Sequence, residues 1–548
     1  MSLFKSDSSQ GTLPASGRWL AAALMGSALT AASVNAWAAG NLRIGIQSEP
    51  SSLAPAEVNG TIADGDVLND LYEGLTTVDA SGEVIPGAAS GWKVSDDGKR
   101  YTFTLRKDAR WSDGKPVIAE DFVSGFRAAL NPQSPSVYAA LLYPLKNAQA
   151  IASNKAELSS LGIKAQGEHT VVIELNQPTP YLPALLTNSV ASPIPSHLVR
   201  SAGQSWKKVG TLVTNGAFSP KQWIPHDHLT AVKNRYFHDA KHVSLDQVTY
   251  IPVEDENAAT QRFRAGEFDI VRAFAANQYK RLKSQLGDEL KLSPELDTYY
   301  FALNQRKGQP TADKRVREAL NLGINRSIIA DKIMQGTVLP AKGFVPPGVQ
   351  DYQGASMPGL DAPFAKRQQH ARELLKEAGY SSDHPLTITL NYNRTEINQP
   401  IAVAMGAMWK AIGVNTKFAN TEANVHYSNL AAGHFGVGRA TWLGDYDDAN
   451  TFLAILESGN AKNYGHYHST TYDQLMDKAN GTTNVKARSQ GLHKAEAQAL
   501  SDYAMLPLYY DAARNLVSNE VHGWKANTIN RHLARWESLG SKGSSDSN

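Results

Sequence analysis

Arg439-Ala-Thr-Trp-Leu-Gly-Asp-Tyr446 is the stretch of this chain that indicates most about its fold and its chemistry. It places a cation, an indole, a short run suited to extended backbone and an acid close together, and Asp447, Asp448 and Asn450 follow at once. A β-strand with both signs of charge can pair with an incoming strand through its main chain and hold both charged ends. The stretch therefore predicts a strand that receives a peptide.

The rest of the chain alternates short β-rich runs with amphipathic helical runs, a pattern typical of α/β proteins. We found no internal repeat and no low-complexity linker, so we expect lobes that share crossing segments and hinge about a cleft. The predicted strands are Leu42–Ile46, Tyr101–Leu105, Thr170–Leu175, Val248–Val253 and Leu386–Tyr392. The predicted helices are Val316–Leu322, Lys366–Ala378 and Ala402–Ala411.

The N-terminus has the features of an export signal. Lys5 and Arg18 form a weakly basic start, Trp19–Ala32 is an Ala-rich apolar run, and Ala36-Trp37-Ala38 is a small-x-small cleavage pattern. The apolar run is shorter than the roughly 20 residues that a bilayer crossing takes. We therefore expect residues 1–38 to be a cleaved signal peptide, with a retained membrane anchor as the alternative.

The amino-acid composition further narrows the class of protein. The chain has no cysteine, which excludes a disulfide framework, a thiolate metal site, a cysteine nucleophile and a lipid-modified cysteine. Its formal charge of +2 falls to about +1 without residues 1–38, so nothing favours nucleic-acid or membrane-surface binding. The roughly 510 remaining residues exceed one core. We expect a soluble, monomeric, periplasmic protein of two or three lobes that needs no cofactor.

Long motifs in a fixed order point to one family. They are Leu71–Leu75, Pro86-Gly87, Trp92, Tyr101–Val117, Ala119–Val123, Asn215–Phe218, Asn234–Phe237, Arg264–Asp269, Arg315–Leu320, Ile324–Arg326, Ala378–Tyr380, the Trp442 stretch and Leu506–Tyr510. The chain resembles the periplasmic oligopeptide-binding proteins of ABC importers, solute-binding protein family 5, and in particular the oligopeptide and murein-peptide receptors. The resemblance covers nearly all of the chain after residue 38.

The resemblance implies an α/β, two-lobed hinged periplasmic-binding-protein fold of class II, in the three-subdomain form of the peptide receptors. Two lobes would close over the ligand and a third would enlarge one of them. Lobe I would comprise residues 40–73, 197–296 and 512–548, whose end, Gly540–Asn548, is a Ser/Gly-rich tail expected to be disordered. Lobe II would comprise residues 74–196, and lobe III residues 297–511.

The same resemblance assigns the charged ends of the ligand. Asp445 matches the acid that pairs with a peptide's α-ammonium, although an acid there could also close a turn or cap a helix. Arg439 matches a cation for the carboxylate of a short peptide, with a structural ion pair as the alternative. Six residues of strand span about 20 Å, and their even separation places both side chains on one face.

Other matched positions would contact the ligand between these ends. Thr441, Leu443 and Gly444 would offer main-chain donors and acceptors, while Trp442 faces the other way and either walls a side-chain pocket or belongs to the core. Three more positions match on the other side of the expected cleft. At Asn59 and Thr61 the main chain would run along the ligand, and Tyr138 is either a ligand contact or a buried structural tyrosine.

Several positions depart from the family pattern. Ala423 replaces a tryptophan that roofs a pocket, Asn398 replaces a histidine that serves longer peptides' carboxylates, and Leu430 replaces a basic residue with the same role. The relatives' disulfide pair becomes Asp297 and Leu443, so Asp297 is a new acid beside the expected cleft. The loss of basic anchors indicates short or unusual peptides, of which murein-derived peptide is one candidate.

These residues predict a binding protein that passes short peptides to the membrane permease of an ABC importer. The first alternative keeps the fold and carries a metal chelate, haem, an opine or a glycan. The second, a periplasmic hydrolase, lacks any visible catalytic motif or phosphate loop. The pairs His226/His228 and His466/His468 show no third ligand nearby, so no metal site is expected.

Overall fold

Two unusually long strands cross the middle of the molecule. The computed structural model describes residues 40–540, so the predicted signal peptide (residues 1–38) and residues 541–548 of the predicted tail lie outside the described range. The strands are β1 Asn41–Ile46, β2 Thr76–Val78, β3 Val84–Pro86, β4 Ala89–Val94, β5 Arg100–Leu105, β6 Ile163–Ala165, β7 Thr170–Glu174, β8 Phe218–Ile224, β9 His228–Lys233, β10 Gln247–Pro252, β11 Ile270–Val271, β12 Leu290–Leu303, β13 Leu339–Pro340, β14 Leu386–Asn393, β15 Val414–Thr421, β16 Val437–Leu443, β17 Met505–Val517, β18 Val521–His522 and β19 Ser538–Leu539.

Helices surround these strands. They are α1 Ile62–Leu71, α2 Ala119–Ala129, α3 Ala148–Ala152, α4 Leu182–Leu185, α5 Ser196–Ala202, α6 Glu256–Arg264, α7 Tyr279–Leu286, α8 Lys314–Leu322, α9 Arg326–Ile328, α10 Phe364–Glu377, α11 Asn398–Lys410, α12 Ala423–Ala432, α13 Asn450–Leu453, α14 Thr470–Asn480 and α15 Val485–Ser501. Within residues 40–540, none of the helices combines the length and apolarity that a membrane crossing requires.

The long strands β12 and β17 join two halves of one mixed sheet, whose order is β15-β14-β16-β12-β17-β11-β1-β10-β9-β8 with β13 also on β17. β12 and β17 pair along most of their length, but their register shifts between Pro294 and Thr298. A register shift of this kind bends a strand and increases its local twist. The two halves of the sheet are therefore continuous, with the irregularity where they meet.

Alternation along β12 explains how the sheet is covered on both faces in its second half. Tyr299, Phe301 and Leu303 pack into one apolar core, and Tyr300 and Ala302 pack into another on the opposite face. Successive strand residues point to opposite faces, so an uninterrupted apolar run can feed two cores. The sheet here is a middle layer between helices.

A separate four-stranded antiparallel sheet, β4-β5-β7-β6, lies earlier in the chain. The predicted strand Tyr101–Leu105 is part of its β5, and Thr170–Leu175 corresponds to β7. The core of this sheet is continuous with the core under β1 and β10, because one buried cluster contains Phe103, Val171 and Leu42 together. Much of predicted lobe I thus shares a core with predicted lobe II, and Tyr446 also joins this core. Most buried apolar residues of the 297–511 segment form two other cores, and a further part of predicted lobe I, around Phe274, forms a small one.

Candidate functional site

β16, the strand predicted to receive a peptide, has one open edge. It pairs antiparallel with β12 along its whole length, from Val437 opposite Leu303 to Leu443 opposite Asp297. On its other side, the parallel ladder with β14 ends at Gly438. Within residues 40–540, no strand pairs with residues 439–443 on that second side. An unpaired strand edge is a template for another extended chain.

The main-chain bonds at the ends of this edge show which residues face outward. The Gly444 N–H donates to the Leu296 carbonyl on the β12 side, and the Arg439 carbonyl bonds the His426 ring on the other side. Because hydrogen-bonded and non-bonded pairs alternate in an antiparallel ladder, Thr441 and Leu443 direct their N–H and C=O groups outward with Arg439. This corrects the expectation for Gly444, whose donor is already used.

Asp445 lies two residues beyond the end of β16. Its N–H donates to the Thr451 hydroxyl at 3.2 Å, which fixes the main chain but leaves the carboxylate free. Among the described residues, no hydrogen bond or ion pair shorter than 4 Å reaches that carboxylate. Burial raises the pKa of Asp445 to about 6, opposed by the positive charges of Lys462 and Arg531. A half-buried carboxylate without a partner is an unfavourable state that a bound cation would relieve.

The neighbouring acids Asp448 and Asp447, unlike Asp445, have structural partners. The Asp448 carboxylate accepts from the Asn450 N–H at 2.8 Å, at the start of α13. The same carboxylate forms a two-pronged ion pair with Arg488, at 2.7 and 2.9 Å. Asp447 accepts from the Gln350 N–H. Among the described residues, the Asp445 carboxylate has no structural contacts like those that the side chains of Asp447 and Asp448 make.

The free carboxylate faces a cavity of about 250 Å³. Besides Asp445, the side chains that line this cavity include those of Tyr138, Asp447 and Arg531. The Tyr138 hydroxyl donates to the Gly60 carbonyl at 3.1 Å, and burial together with the charge of Asp445 raises its pKa. Other lining residues are Gly60, Val78, Gly82, Val84, Ala184, Thr187, Asn188, Leu443, Gly444, Tyr446 and Ile529. We call this space the Asp445 cavity.

A stacked pair of tyrosines joins the segments on either side of this cavity. Tyr446 follows Asp445 directly and stacks on Tyr181, with ring centroids 4.9 Å apart and an interplanar angle of 4°. Offset or stacked aromatic pairs add about 0.5–1.5 kcal/mol beyond area burial. Tyr181 belongs to predicted lobe II and Tyr446 to predicted lobe III, so this stack joins the two predicted lobes beside Asp445.

The other two positions expected across the cleft, Asn59 and Thr61, flank Gly60. The Thr61 hydroxyl caps α1 by accepting from the Asp64 N–H at 3.1 Å, and the Asp64 carboxylate bonds back to the Thr61 N–H. The Asn59 N–H donates to the Ser51 hydroxyl. Gly60 itself lines the Asp445 cavity. The segment therefore brings main chain, rather than the Thr61 side chain, to the cavity.

Arg439 lines a different cavity, of about 440 Å³. Its guanidinium lies over the Tyr299 ring at 4.5 Å and donates to the Tyr427 hydroxyl at 2.9 Å. Its Nε is buried with no hydrogen-bond partner, and no carboxylate of the described residues pairs with it. The acids lining this space, which we call the Arg439 cavity, are Glu254, Asp255, Glu256, Glu396 and Asp511, with Arg514 as a second cation.

The strand on which Arg439 and Asp445 were expected to share a face does not extend as far as Asp445. β16 ends at Leu443, so the even spacing of Arg439 and Asp445 does not fix their relative direction. They line separate cavities. The Thr451 side chain and the Leu296 carbonyl together turn the chain at Gly444 and Asp445. A single peptide would have to reach across the β16 edge to touch both residues.

Leu443 lines the Asp445 cavity, whereas its neighbours Asp297 and Thr441 line neither cavity. Asp297 stands opposite Leu443, and its carboxylate accepts from the Thr441 hydroxyl at 2.6 Å. Burial and the negative charge of Asp511 raise the pKa of Asp297 to about 6. Trp442 points the other way, as expected, packs against a lobe core and donates to the Thr451 hydroxyl. Its placement favours a core role over a pocket wall.

The positions that depart from the family pattern have three different surroundings. Asn398 lines the Arg439 cavity, but its amide is committed: it accepts from the Tyr299 hydroxyl at 2.8 Å and donates to the Asn393 carbonyl. Ala423 is exposed at the start of α12 and lines neither cavity. Leu430 is fully buried in a lobe core. Of the three, Asn398 alone is placed to influence a ligand.

Sequence reasoning missed Arg531 and the acids of the Arg439 cavity. Arg531 comes from the C-terminal segment and meets Asp445 only in the folded chain. Glu256 opens α6, and no local motif distinguishes it from an ordinary first-turn acid. The paired histidines do not form a metal site here: within residues 40–540 no three His, Cys, Asp or Glu side chains cluster suitably. His226 contacts Glu49, and His228 contacts Asp227.

Known proteins share this architecture. The profile of the bacterial extracellular solute-binding proteins, family 5 Middle, matches residues 83–464. The periplasmic murein peptide-binding protein MppA of Escherichia coli (strain K12) is 36% identical over 485 residues, which cover 88% of this chain and 90% of MppA. The solved structure of MppA has a TM-score of 0.80 and covers 91% of this chain and 98% of its own.

Two further relatives differ in what their names say they bind. The probable deoxycholate-binding periplasmic protein YgiS of E. coli (strain K12) is 35% identical over 480 residues, which cover 87% of this chain and 89% of YgiS. The structure of Haemophilus influenzae OppA in complex with RPPGFSPFR has a TM-score of 0.79 at 31% identity, and covers 92% of this chain and 99% of that one.

These similarities confirm the predicted fold class, an α/β two-lobed periplasmic-binding-protein fold. The relatives are periplasmic binding proteins by name. The profile spans most of the chain, and the identity exceeds 30% over nearly its whole length. The chain belongs to family 5 of the bacterial extracellular solute-binding proteins.

Proposed function

We propose that this protein is the periplasmic substrate-binding component of an ABC importer and that it captures short peptides between its lobes. The observation that carries the proposal is the free Asp445 carboxylate, half-buried beside a cavity of about 250 Å³. A peptide's α-ammonium is cationic near neutral pH. Binding there would supply the charge partner that the folded protein itself does not give to Asp445.

The open edge of β16 supports the same conclusion. Residues 439–443 have no strand partner on one side within residues 40–540, and Thr441 and Leu443 turn their main-chain groups that way. Main-chain pairing is indifferent to the ligand's side chains, so this edge suits peptides of varied sequence. Asp445 would hold the ligand's amino end, and Arg439 is the cation toward which a carboxylate would point.

The proposed role involves binding and delivery without a chemical step. Closure of the lobes about β12 and β17 would be favoured by contacts that the ligand makes in the closed state alone. The closed protein would then hand its ligand to the membrane permease. The names of MppA and OppA, which bind murein peptide and oligopeptides respectively, support peptide as the ligand class.

Calorimetric titration with di- to pentapeptides tests the proposal. We expect at least one length class to bind, and Asp445→Ala to lose on the order of 100-fold in affinity, because it removes one partner of an enclosed charge pair. Asp361→Asn, at an exposed acid that contacts Lys342, is the matched control. If none of the peptides binds, or if Asp445→Ala binds peptide with the wild-type affinity, the peptide assignment is refuted.

A second ligand class has one observation in its favour. YgiS, whose name gives deoxycholate as its probable ligand, is about as similar to this chain as the peptide receptors are. The guanidinium of Arg439, whose Nε has no partner among the described residues, could take the carboxylate of such an amphipathic anion. Native mass spectrometry of the purified protein separates the classes, because a co-purified peptide and a co-purified sterol acid differ in mass and fragmentation.

A further inference from the structure

The Asp445 cavity contains a cation that the family resemblance does not assign. Arg531 lines the cavity together with Asp445, yet the two side chains do not form an ion pair. Burial lowers the pKa of Arg531, opposed by the charges of Tyr138, Asp66 and Asp445. Each of the two residues thus keeps an uncompensated charge within one enclosed space.

The position of Arg531 is fixed by its neighbours. Its Nη1 donates to the Thr187 carbonyl at 3.1 Å and to the Thr187 hydroxyl at 2.7 Å. Its main chain is held by Asn527, whose amide accepts from the Arg531 N–H and donates to its carbonyl. Both Thr187 contacts use Nη1, and among the described residues none hydrogen-bonds to Nη2 or Nε. A guanidinium held this way is preorganised to bind a carboxylate.

The cavity presents both signs of charge to a ligand. Asp445, Asp447 and Arg531 line it, and Lys462 and Arg531 act on the Asp445 carboxylate from nearby. The acids can bind an ammonium, and the guanidinium can bind a carboxylate on the same ligand end.

Resting on the peptide-binding function proposed above, we propose that Arg531 is an anion-binding residue of the Asp445 cavity. The cavity then selects peptides whose N-terminal residue carries a carboxylate beside its α-ammonium, as N-terminal glutamate or aspartate does. Asp445 binds the ammonium, and the free N–H groups of Arg531 bind the side-chain carboxylate. Arg439, in the other cavity, is left for the far end of the ligand.

The test compares Glu-Ala-Ala with Gln-Ala-Ala, which differ in charge and hardly in shape. In calorimetric titration the wild-type protein should bind Glu-Ala-Ala about tenfold more tightly, because a charge-assisted hydrogen bond replaces a neutral one. Arg531→Gln should lower this ratio to about one. Arg531→Lys, which keeps the charge but not the two-pronged geometry, should retain part of the preference.

Arg235→Gln is the matched control, since Arg235 is exposed and outside both cavities, and it should keep the full ratio. Equal affinities for the two tripeptides in the wild-type protein would overturn the inference and leave the peptide function standing. The same holds for a ratio that survives in a folded Arg531→Gln protein. If neither these two tripeptides nor any other peptide binds, both proposals are refuted.

Discussion

Asp297 and Leu443 stand directly opposite each other on β12 and β16, as a pair whose main-chain groups point away from each other. In such a pair the Cα atoms are about 4.5 Å apart, which suits a disulfide. The family resemblance places a disulfide at these positions in relatives, and this chain carries an acid and a leucine instead. The ladder geometry remains compatible with the bond even though neither residue can form it.

The first prediction follows from that register. The double variant Asp297→Cys, Leu443→Cys should form an intramolecular disulfide under mild oxidation, since the register brings the two side chains together. Thiol titration and intact mass measure it, and either single variant is the control. Two free thiols that persist after oxidation would show that the register between β12 and β16 is wrong.

The second prediction concerns the pH dependence of peptide affinity. The pKa of Asp445 is raised to about 6 in the ligand-free protein, chiefly by burial, and the ammonium needs the ionised carboxylate. Affinity should be level above pH 7 and weaken as the pH falls through 6, approaching tenfold per unit. Titrations between pH 5 and 8 measure this.

Asp297 is the necessary control for that profile, because its pKa is also raised to about 6 and it lies near the same strand edge. Asp297→Asn should keep the fall of affinity below pH 6, whereas Asp445→Asn should have a low affinity that changes little with pH. If that fall disappears in Asp297→Asn and persists in Asp445→Asn, Asp297 and not Asp445 is the carboxylate that titrates.

The third prediction tests whether Arg439 meets the ligand's carboxylate. Arg439→Gln should weaken Ala-Ala-Ala about tenfold and change the affinity for its C-terminal amide far less, because the amide offers no charge to the guanidinium. Tyr427→Phe removes the hydrogen bond to Arg439 but keeps its charge, so it controls for lost support. Equal losses for acid and amide would indicate that Arg439 serves the stack on Tyr299 instead.

The fourth prediction concerns stability rather than binding. Glu537 is 3% exposed, and both its carboxylate oxygens are buried with no partner among the described residues. Burial, with the charge of Asp70, raises its pKa from 4.5 to about 8. Between those pH values the folded protein holds a proton that the unfolded chain has lost, so stability falls as the pH rises through this window.

Glu537→Gln removes that titration and should raise the melting temperature more at pH 8 than at pH 5. The raised pKa corresponds to a cost on the order of 4 kcal/mol once both states have titrated. Differential scanning calorimetry at the two pH values measures it, and Glu157→Gln, at an exposed acid, is the control. A shift of the same size at both pH values would contradict a protonated Glu537.

Local patterns were sufficient for the regular elements. The predicted Leu42–Ile46 is found as Asn41–Ile46, and Lys366–Ala378 as Phe364–Glu377, because alternation and 3.6-residue periodicity act within one segment. The helix predicted at Ala402–Ala411 begins earlier, at Asn398, with Pro400 in its first turn. Proline is tolerated there since no intrahelical donor is lost.

The site itself depends on contacts that no segment encodes alone. The main chain at Gly444 and Asp445 is held by the Leu296 carbonyl and the Thr451 hydroxyl, so counting residues along β16 does not give the direction of Asp445. Arg531 reaches the cavity from the C-terminal segment, far along the chain from Asp445. A family motif can identify an acid, but the cation beside it becomes visible once the lobes are assembled.

The end of the β14 ladder at Gly438 bears on solubility as much as on recognition. An unpaired strand edge on an open surface invites other chains to add to it and aggregate. Here the edge borders cavities of about 250 and 440 Å³, dimensions that suit a few residues and not a folded domain. Enclosure thus acts as a size filter: the same main-chain groups that would make the protein prone to aggregation are offered to short, extended chains.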